Sequence, residues 1–164
     1  MVYLKRIDAK NFWDIIGLDV DESQKRFVAS NLFSIAQAYI TVGTDCTTFP
    51  FGIYDEDKPV GLVLIGFNET ALFDIRGEEA PKVMKDNYMI MRLMIDKNCQ
   101  KKGYGRAALK LALDFVRTWP CGKAEYCAIS YKTNNLVAKE LYRSFGFEEN
   151  GEMDKDEAIA VLKL

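Results

Sequence analysis

Leu93-Met94-Ile95-Asp96-Lys97-Asn98-Cys99-Gln100-Lys101-Lys102-Gly103-Tyr104-Gly105-Arg106 decides how the rest of this chain is read. It begins apolar, turns through a short polar loop and enters an amphipathic segment. Gly103 and Gly105 follow directly on Lys101 and Lys102. A glycine in such a loop lets backbone amides approach a ligand, because no Cβ intervenes. A helix beginning at about Gly103 aims its free N–H groups, and the positive end of its dipole, back at the loop. Strand, basic glycine loop and helix N-terminus together predict a pyrophosphate cradle. On the loop alone, a strand-to-helix turn using glycine for geometry reads the same way.

Working outward, Tyr88 to Ile95 is the strand that feeds this loop. After it, Gly105, Ala108, Leu109, Ala112, Leu113 and Val116 form one helical stripe, with Arg106, Lys110, Asp114 and Arg117 on the other face. Trp119 to Gly122 stops that helix, and Ala124 to Ile129 follows as a buried strand. Strand, helix and strand predict a parallel pair with a right-handed crossover. Asn135 to Phe145 reads as a helix closed by Gly146, and Phe147 to Asn150 and Ala158 to Leu162 as final strands around a Gly151–Asp156 turn. On the N-terminal side, Val2 to Ile7 is a strand, Ala9 to Leu18 a short helix, and Asn31 onward a helix capped by Ser30 or Asn31. Thr48–Tyr54 and Pro59–Gly66 form a hairpin. Its second strand is continuously apolar, so it should be buried on both faces. Asn68 to Asp86 is irregular, a loop or a broken strand end.

The 164 residues suit one compact domain spanning residues 1–164, a mixed α/β (α+β) fold without repeats. A net charge of −2 argues against nucleic acid, which leaves a basic footprint on its binders. No apolar run approaches a membrane span, and the N-terminus lacks the layout of a signal peptide. Cys46, Cys99, Cys121 and Cys127 show no Cys-x-x-Cys spacing, and histidine is absent. A reduced, cytoplasmic protein without a structural metal is the reading. The lack of histidine also removes the usual general base.

Gln100-x-x-Gly103-x-Gly105 resembles the first signature of the GNAT N-acetyltransferase family, and Asn135-x-x-Ala138-x-x-Leu141-Tyr142-x-x-x-Gly146-Phe147 resembles the second. Two motifs in the right order and at the right distance cover the C-terminal half. The resemblance implies a central, mostly antiparallel sheet with a splayed parallel strand pair, flanked by helices. It also implies acetyl-CoA as co-substrate. The segments Ser23–Asn31, Ala36–Tyr39, Pro50–Tyr54, Gly66-Phe67 and Arg92–Asp96 look like the bacterial diamine and polyamine branch, whose acceptors are spermidine and spermine. Such enzymes often form homodimers through their C-terminal strands.

By this resemblance, Leu93, Met94 and Ile95 would pair with the pantetheine arm through their backbones. The stretch Gln100, Lys101, Lys102, Gly103, Tyr104, Gly105 and Arg106 would hold the pyrophosphate, with Lys101, Lys102 and Arg106 adding charge. Asn135 would bond the pantetheine arm, and it would serve as a helix N-cap in any case. Lys139 would reach phosphate or stay in solvent. Tyr142 would be the general acid for the departing thiolate: a phenol of pKa ~10 can protonate the anion of a thiol of pKa ~8.5. Some family members carry a glutamate base on the strand before the loop. Counted back without gaps, that position is Met89. Glu22, Asp55, Glu78 and Glu79 remain as more distant carboxylates that water could connect.

Gly103-x-Gly105-x-x-Ala108 also fits a dinucleotide fingerprint, but the loop is long and basic and no second nucleotide-binding half has room. A P-loop needs a Gly-Lys-Ser/Thr that is missing. Two other readings stand beside a polyamine acetyltransferase. One is acetylation of another amine, such as a protein N-terminus, an aminoglycoside or an amino acid. The other is a non-catalytic acyl-CoA sensor.

Overall fold

The computed structural model describes residues 1–164. A seven-stranded sheet runs through it in the order β1-β2-β3-β4-β5-β7-β6. The strands are β1 (Val2–Arg6), β2 (Thr47–Asp55), β3 (Lys58–Phe67), β4 (Tyr88–Ile95), β5 (Tyr126–Lys132), β6 (Glu148–Asp154) and β7 (Glu157–Lys163). The helices are α1 (Phe12–Ile16), α2 (Asn31–Ile40), α3 (Thr70–Arg76), α4 (Tyr104–Val116) and α5 (Leu136–Arg143). Every neighbouring pair is antiparallel except β4 and β5, which are parallel as the strand–helix–strand pattern requires.

β3 is buried on both faces, as its unbroken apolar run predicts. Val60, Val63 and Ile65 join a core with α4 and α5, while Leu62 and Leu64 join a second core with α1, α2 and α3. The α4 stripe does what its spacing demands: Ala108, Leu109, Ala112, Leu113 and Val116 are all buried against the sheet. Each large side chain among them stabilises the fold by about 1.5–3 kcal/mol through burial. Ser30 caps α2, its hydroxyl accepting from the Phe33 N–H at 3.2 Å.

Asn68–Asp86 is neither a loop nor a strand end: it folds as α3 followed by a 3-10 turn at Lys82–Met84. Only seven residues long and lacking a side-chain cap, α3 is held by burial of Leu72 and Phe73 and ended by Gly77 at φ +68°. β6 also runs on to Asp154, so its turn is the Lys155–Asp156 pair rather than Gly151–Asp156.

The feature that positions the site is where β4 and β5 part. Their register holds only for Tyr88, Ile90 and the residue between them, opposite Cys127 to Ile129. Beyond that, both strands continue without each other. On the other edge of β4 the pairing with β3 slips: Leu64 faces Arg92 and Ile65 faces Ile90, so Met91 is an extra residue. A bulge of this kind increases local twist, and it turns β4 away from β5 at the point where the parallel register stops. The splayed parallel pair implied by the family resemblance is present.

Candidate active site

Where the strands part lies a cleft of about 670 Å³, lined by residues of both cores, Met91 and Met94 from one and Ile90, Tyr131 and Tyr142 from the other. Its walls are β4, β5, the α4 N-terminus, α5, and the segment before α2 that includes Phe27, Val28 and Ala29.

At one end lies the glycine loop. Lys101 and Gly103 adopt left-handed backbone conformations, φ +62° and +84°. Nothing lies within 4 Å of where a Cβ on Gly103 would sit. No side chain caps α4, and its first helical bond is Ala107 N–H to the Gly103 carbonyl at 3.1 Å. The amides of Tyr104, Gly105 and Arg106 are therefore the unsatisfied donors of a helix start. Leu93, Met94 and Ile95 line the same cleft on the side where β5 has departed. An extended, polar chain ending in phosphates fits this combination of a bare strand edge and open amides.

Several side chains of the predicted set are engaged elsewhere. Gln100 donates to the Ile95 carbonyl at 3.0 Å and to Gln24 Oε1 at 2.8 Å, stapling the loop to the segment before α2. Lys102 reaches the Asn98 carbonyl at 3.3 Å and does not line the cleft. Arg106 likewise points away, to Ser144 Oγ at 2.9 Å and over the Phe145 ring. Of the three cations in the loop, only Lys101 lines the cleft. Tyr104 lines it too, while its hydroxyl donates to Asp55 Oδ2 at 2.8 Å. Asn135 caps α5, accepting from the Ala138 N–H at 3.3 Å, and also faces the cleft. Lys139 pairs with Glu149 at 2.9 Å instead of reaching phosphate or staying free in solvent.

Tyr142, on α5, lines the cleft. It is 7% exposed, and its ring packs between Tyr131 and Phe147 at 5.6 and 6.1 Å. Burial pushes its phenol well above the usual range, with the Glu157 charge and Tyr131 adding to the effect. Tyr142 is therefore held in its neutral form, with a proton to donate.

The carboxylates singled out from sequence are not in this cleft. Asp55 is held below its usual range by the Tyr104 hydroxyl and the N-terminal ammonium. Glu22 pairs with Lys25 at 2.8 Å, and Glu78 with Arg76 and Lys155 at 2.7 and 3.0 Å. Glu79 is exposed. Met89 is buried in the α1–α3 core, and the β4 lining begins one residue later at Ile90. The one carboxylate on the wall is Glu157, at the head of β7. It falls between the turn and the last strand that the sequence predicts. The available signal was alternation: Glu157, Ile159 and Val161 share a face, and only the first is polar.

On the cleft wall, Arg92 follows the bulge and gives its Nη atoms to the Met91 carbonyl and to Gln37 Oε1 at 2.6 and 3.1 Å. Its Nε and the Oε2 of Glu69 are both buried without a partner. Burial pushes Glu69 up to about 8, against the opposing pull of Arg92. Folded Glu69 thus holds a proton over a range where an unfolded glutamate of pKa ~4.3 has lost it. Between those values the folded chain binds more protons, so stability should fall as pH rises from about 5 to 8. Glu69→Gln should remove most of that decline in urea titrations across this range; an unchanged slope would assign it to other groups.

A family model described as the acetyltransferase (GNAT) family matches residues 12–147. Among curated proteins, a probable spermine N(1)-acetyltransferase of Bacillus subtilis subsp. natto (strain BEST195) is 29% identical, the match covering 99% of both chains. The structure of spermidine N-acetyltransferase from Vibrio cholerae, in complex with CoA and spermine, is similar in fold at a TM-score of 0.67. That match has 15% identity and covers 99% of this chain and 94% of the other. An aminoglycoside acetyltransferase in complex with coenzyme A reaches 0.73 at 14% identity, over 99% and 95%. With the matched segment taking in both the glycine loop and Tyr142, the chain belongs to the GNAT family and is an acetyltransferase.

Proposed function

We propose that this chain is a single-domain enzyme moving the acetyl group of acetyl-CoA to a primary amine of a polyamine or diamine, spermidine or spermine being the leading acceptors. The observation that carries this reading is the cleft itself. One cleft joins an amide cradle, a bare strand edge and a buried, protonated tyrosine, and its lining draws on both cores. That geometry suits two substrates meeting end to end, with direct transfer and no acyl-enzyme. The polyamine assignment rests on the full-length likeness to a protein named as a probable spermine acetyltransferase.

Acetyl-CoA supplies the activated acyl carbon and a thiolate leaving group. The amides of Tyr104 to Arg106 and the Lys101 ammonium would take the pyrophosphate, where fixed dipoles neutralise charge without reorganising. The backbone of Leu93–Ile95 and the Asn135 carboxamide would hold the pantetheine arm in line. Tyr142 would place its hydroxyl at the sulfur and give up its proton as the C–S bond breaks. The same desolvation that raises this phenol also raises the basicity of a thiolate formed beside it, so donor and acceptor stay matched.

Purified protein given acetyl-CoA and spermidine should release free thiol. Release with an aminoglycoside or a peptide N-terminus but with no polyamine would move the acceptor class, and no release with any amine would favour a sensor.

A further inference from the structure

Building on the acetyl-transfer reading, we infer that Glu157 receives the acceptor's ammonium group in the cleft and takes its proton before attack. It is the only carboxylate on the cleft wall. Ser130 Oγ donates to its Oε2 at 2.6 Å, which fixes the carboxylate and leaves Oε1 without a partner in the chain. No cation of the chain forms an ion pair with it, although Arg92 on the same wall acts on it through space. Lys132 stands directly across the ladder from Glu157 yet pairs with Asp156 at 3.0 Å. Arg92 gives its Nη atoms to Met91 and Gln37. A half-buried carboxylate with one oriented oxygen and no direct ion pair, reached by Arg92 only at longer range, is a site that a substrate ammonium completes.

Its place in the sheet gives it the right side. Ile159, which shares its strand face, is buried in the α1–α3 core. Tyr142 belongs to the core on the opposite face. Between them lies the gap where β4 and β5 have separated. An amine entering from the α1–α3 side meets Glu157 first, with Tyr142 beyond it across the gap. The Glu157 charge nevertheless acts on Tyr142, so the two lie within electrostatic reach.

The step balances as follows. The ammonium gives one proton to a Glu157 oxygen. The freed lone pair forms the C–N bond at the thioester carbonyl carbon. The C–S bond breaks with its electron pair going to sulfur, which takes the Tyr142 proton. The second N–H proton leaves as the amide forms and restores Tyr142 through solvent. Glu157 then releases its proton to the open cleft, giving one proton per turnover.

Glu157→Gln keeps the shape and the Ser130 bond but cannot accept a proton. Its kcat/KM for spermidine should fall about 100-fold, with coenzyme A affinity and melting temperature unchanged. With trifluoroethylamine, which is already neutral at working pH, the defect should shrink to less than about tenfold. Spermidine turnover within about threefold of wild type would overturn the assignment. So would an equal defect for both amines, or a parallel loss of coenzyme A affinity. Should the unaltered protein release no thiol with any amine, the acetyl-transfer reading fails separately. Calorimetric titration of spermidine into the coenzyme A complex then decides: weaker binding to Glu157→Gln supports the ammonium site, and equal binding removes it.

Discussion

Tyr142→Phe should lower kcat by about 100-fold or more while coenzyme A binds as before. The substitution deletes one oxygen and leaves the ring, which is what packs between Tyr131 and Phe147. The fold should barely register the change. Chemistry should, because a thiolate leaving a thioester in a desolvated cleft needs a proton, and no histidine exists to supply one. Lys101 lies at the cradle, in the glycine loop rather than on α5 beside Tyr142. Rapid-quench turnover and calorimetric coenzyme A affinity, measured on the same preparation, separate the two effects. An unchanged kcat would remove Tyr142 from proton transfer. Weakened coenzyme A binding at normal kcat would make it a binding residue instead.

Gly61→Ala should destabilise the fold by about 3 kcal/mol. An added Cβ would run into the Met94 carbonyl oxygen, a backbone atom that cannot swing away as a side chain would. The β4 backbone lies directly over β3 here, at the end of the strand that has left β5. Relief would require moving β4, and with it the edge that Leu93 to Ile95 present to the cleft. Gly52→Ala is the matched comparison. Its Cβ would meet Ile15 Cδ1 at 2.6 Å and Tyr54 Cε2 at 2.8 Å, both side-chain atoms that can shift. Urea midpoints should rank Gly61→Ala well below Gly52→Ala. Equal midpoints would mean that β4 yields more easily than its contacts suggest.

What could be read from the sequence tracks how local each feature is. The glycine loop with its helix and the helix that carries Tyr142 lie inside contiguous motifs whose periodicity and glycine spacing act over a few residues, and these elements were legible. So was β3, because an unbroken apolar run has little other use in a chain of this kind. α3 was not legible: it is short, uncapped, and exists because Leu72 and Phe73 find a core made by distant segments. Side-chain direction was harder than position. Lys102 in the loop and Arg106 in the first turn of α4 sit at the right positions, yet their side chains turn to Asn98 and Ser144 and stay outside the cleft. Gln100 is spoken for by Gln24, a partner 76 residues away. Glu157 was the least legible, because the β5–β7 ladder that brings it beside Ser130 is a long-range pairing, and neither residue is unusual in its own neighbourhood.

The parting of β4 and β5 has a mechanical side. One half of the sheet, β1 to β4, is tied to the other, β5 to β7, by a parallel register only three residues long. This is the shortest register between any two neighbouring strands of the sheet, and the cleft begins where it stops. A ligand lying along β4 with its far end at α5 would act as a splint across that joint. Filling the site and stiffening the sheet are then the same event, and the free chain should be able to breathe along the line where it reacts.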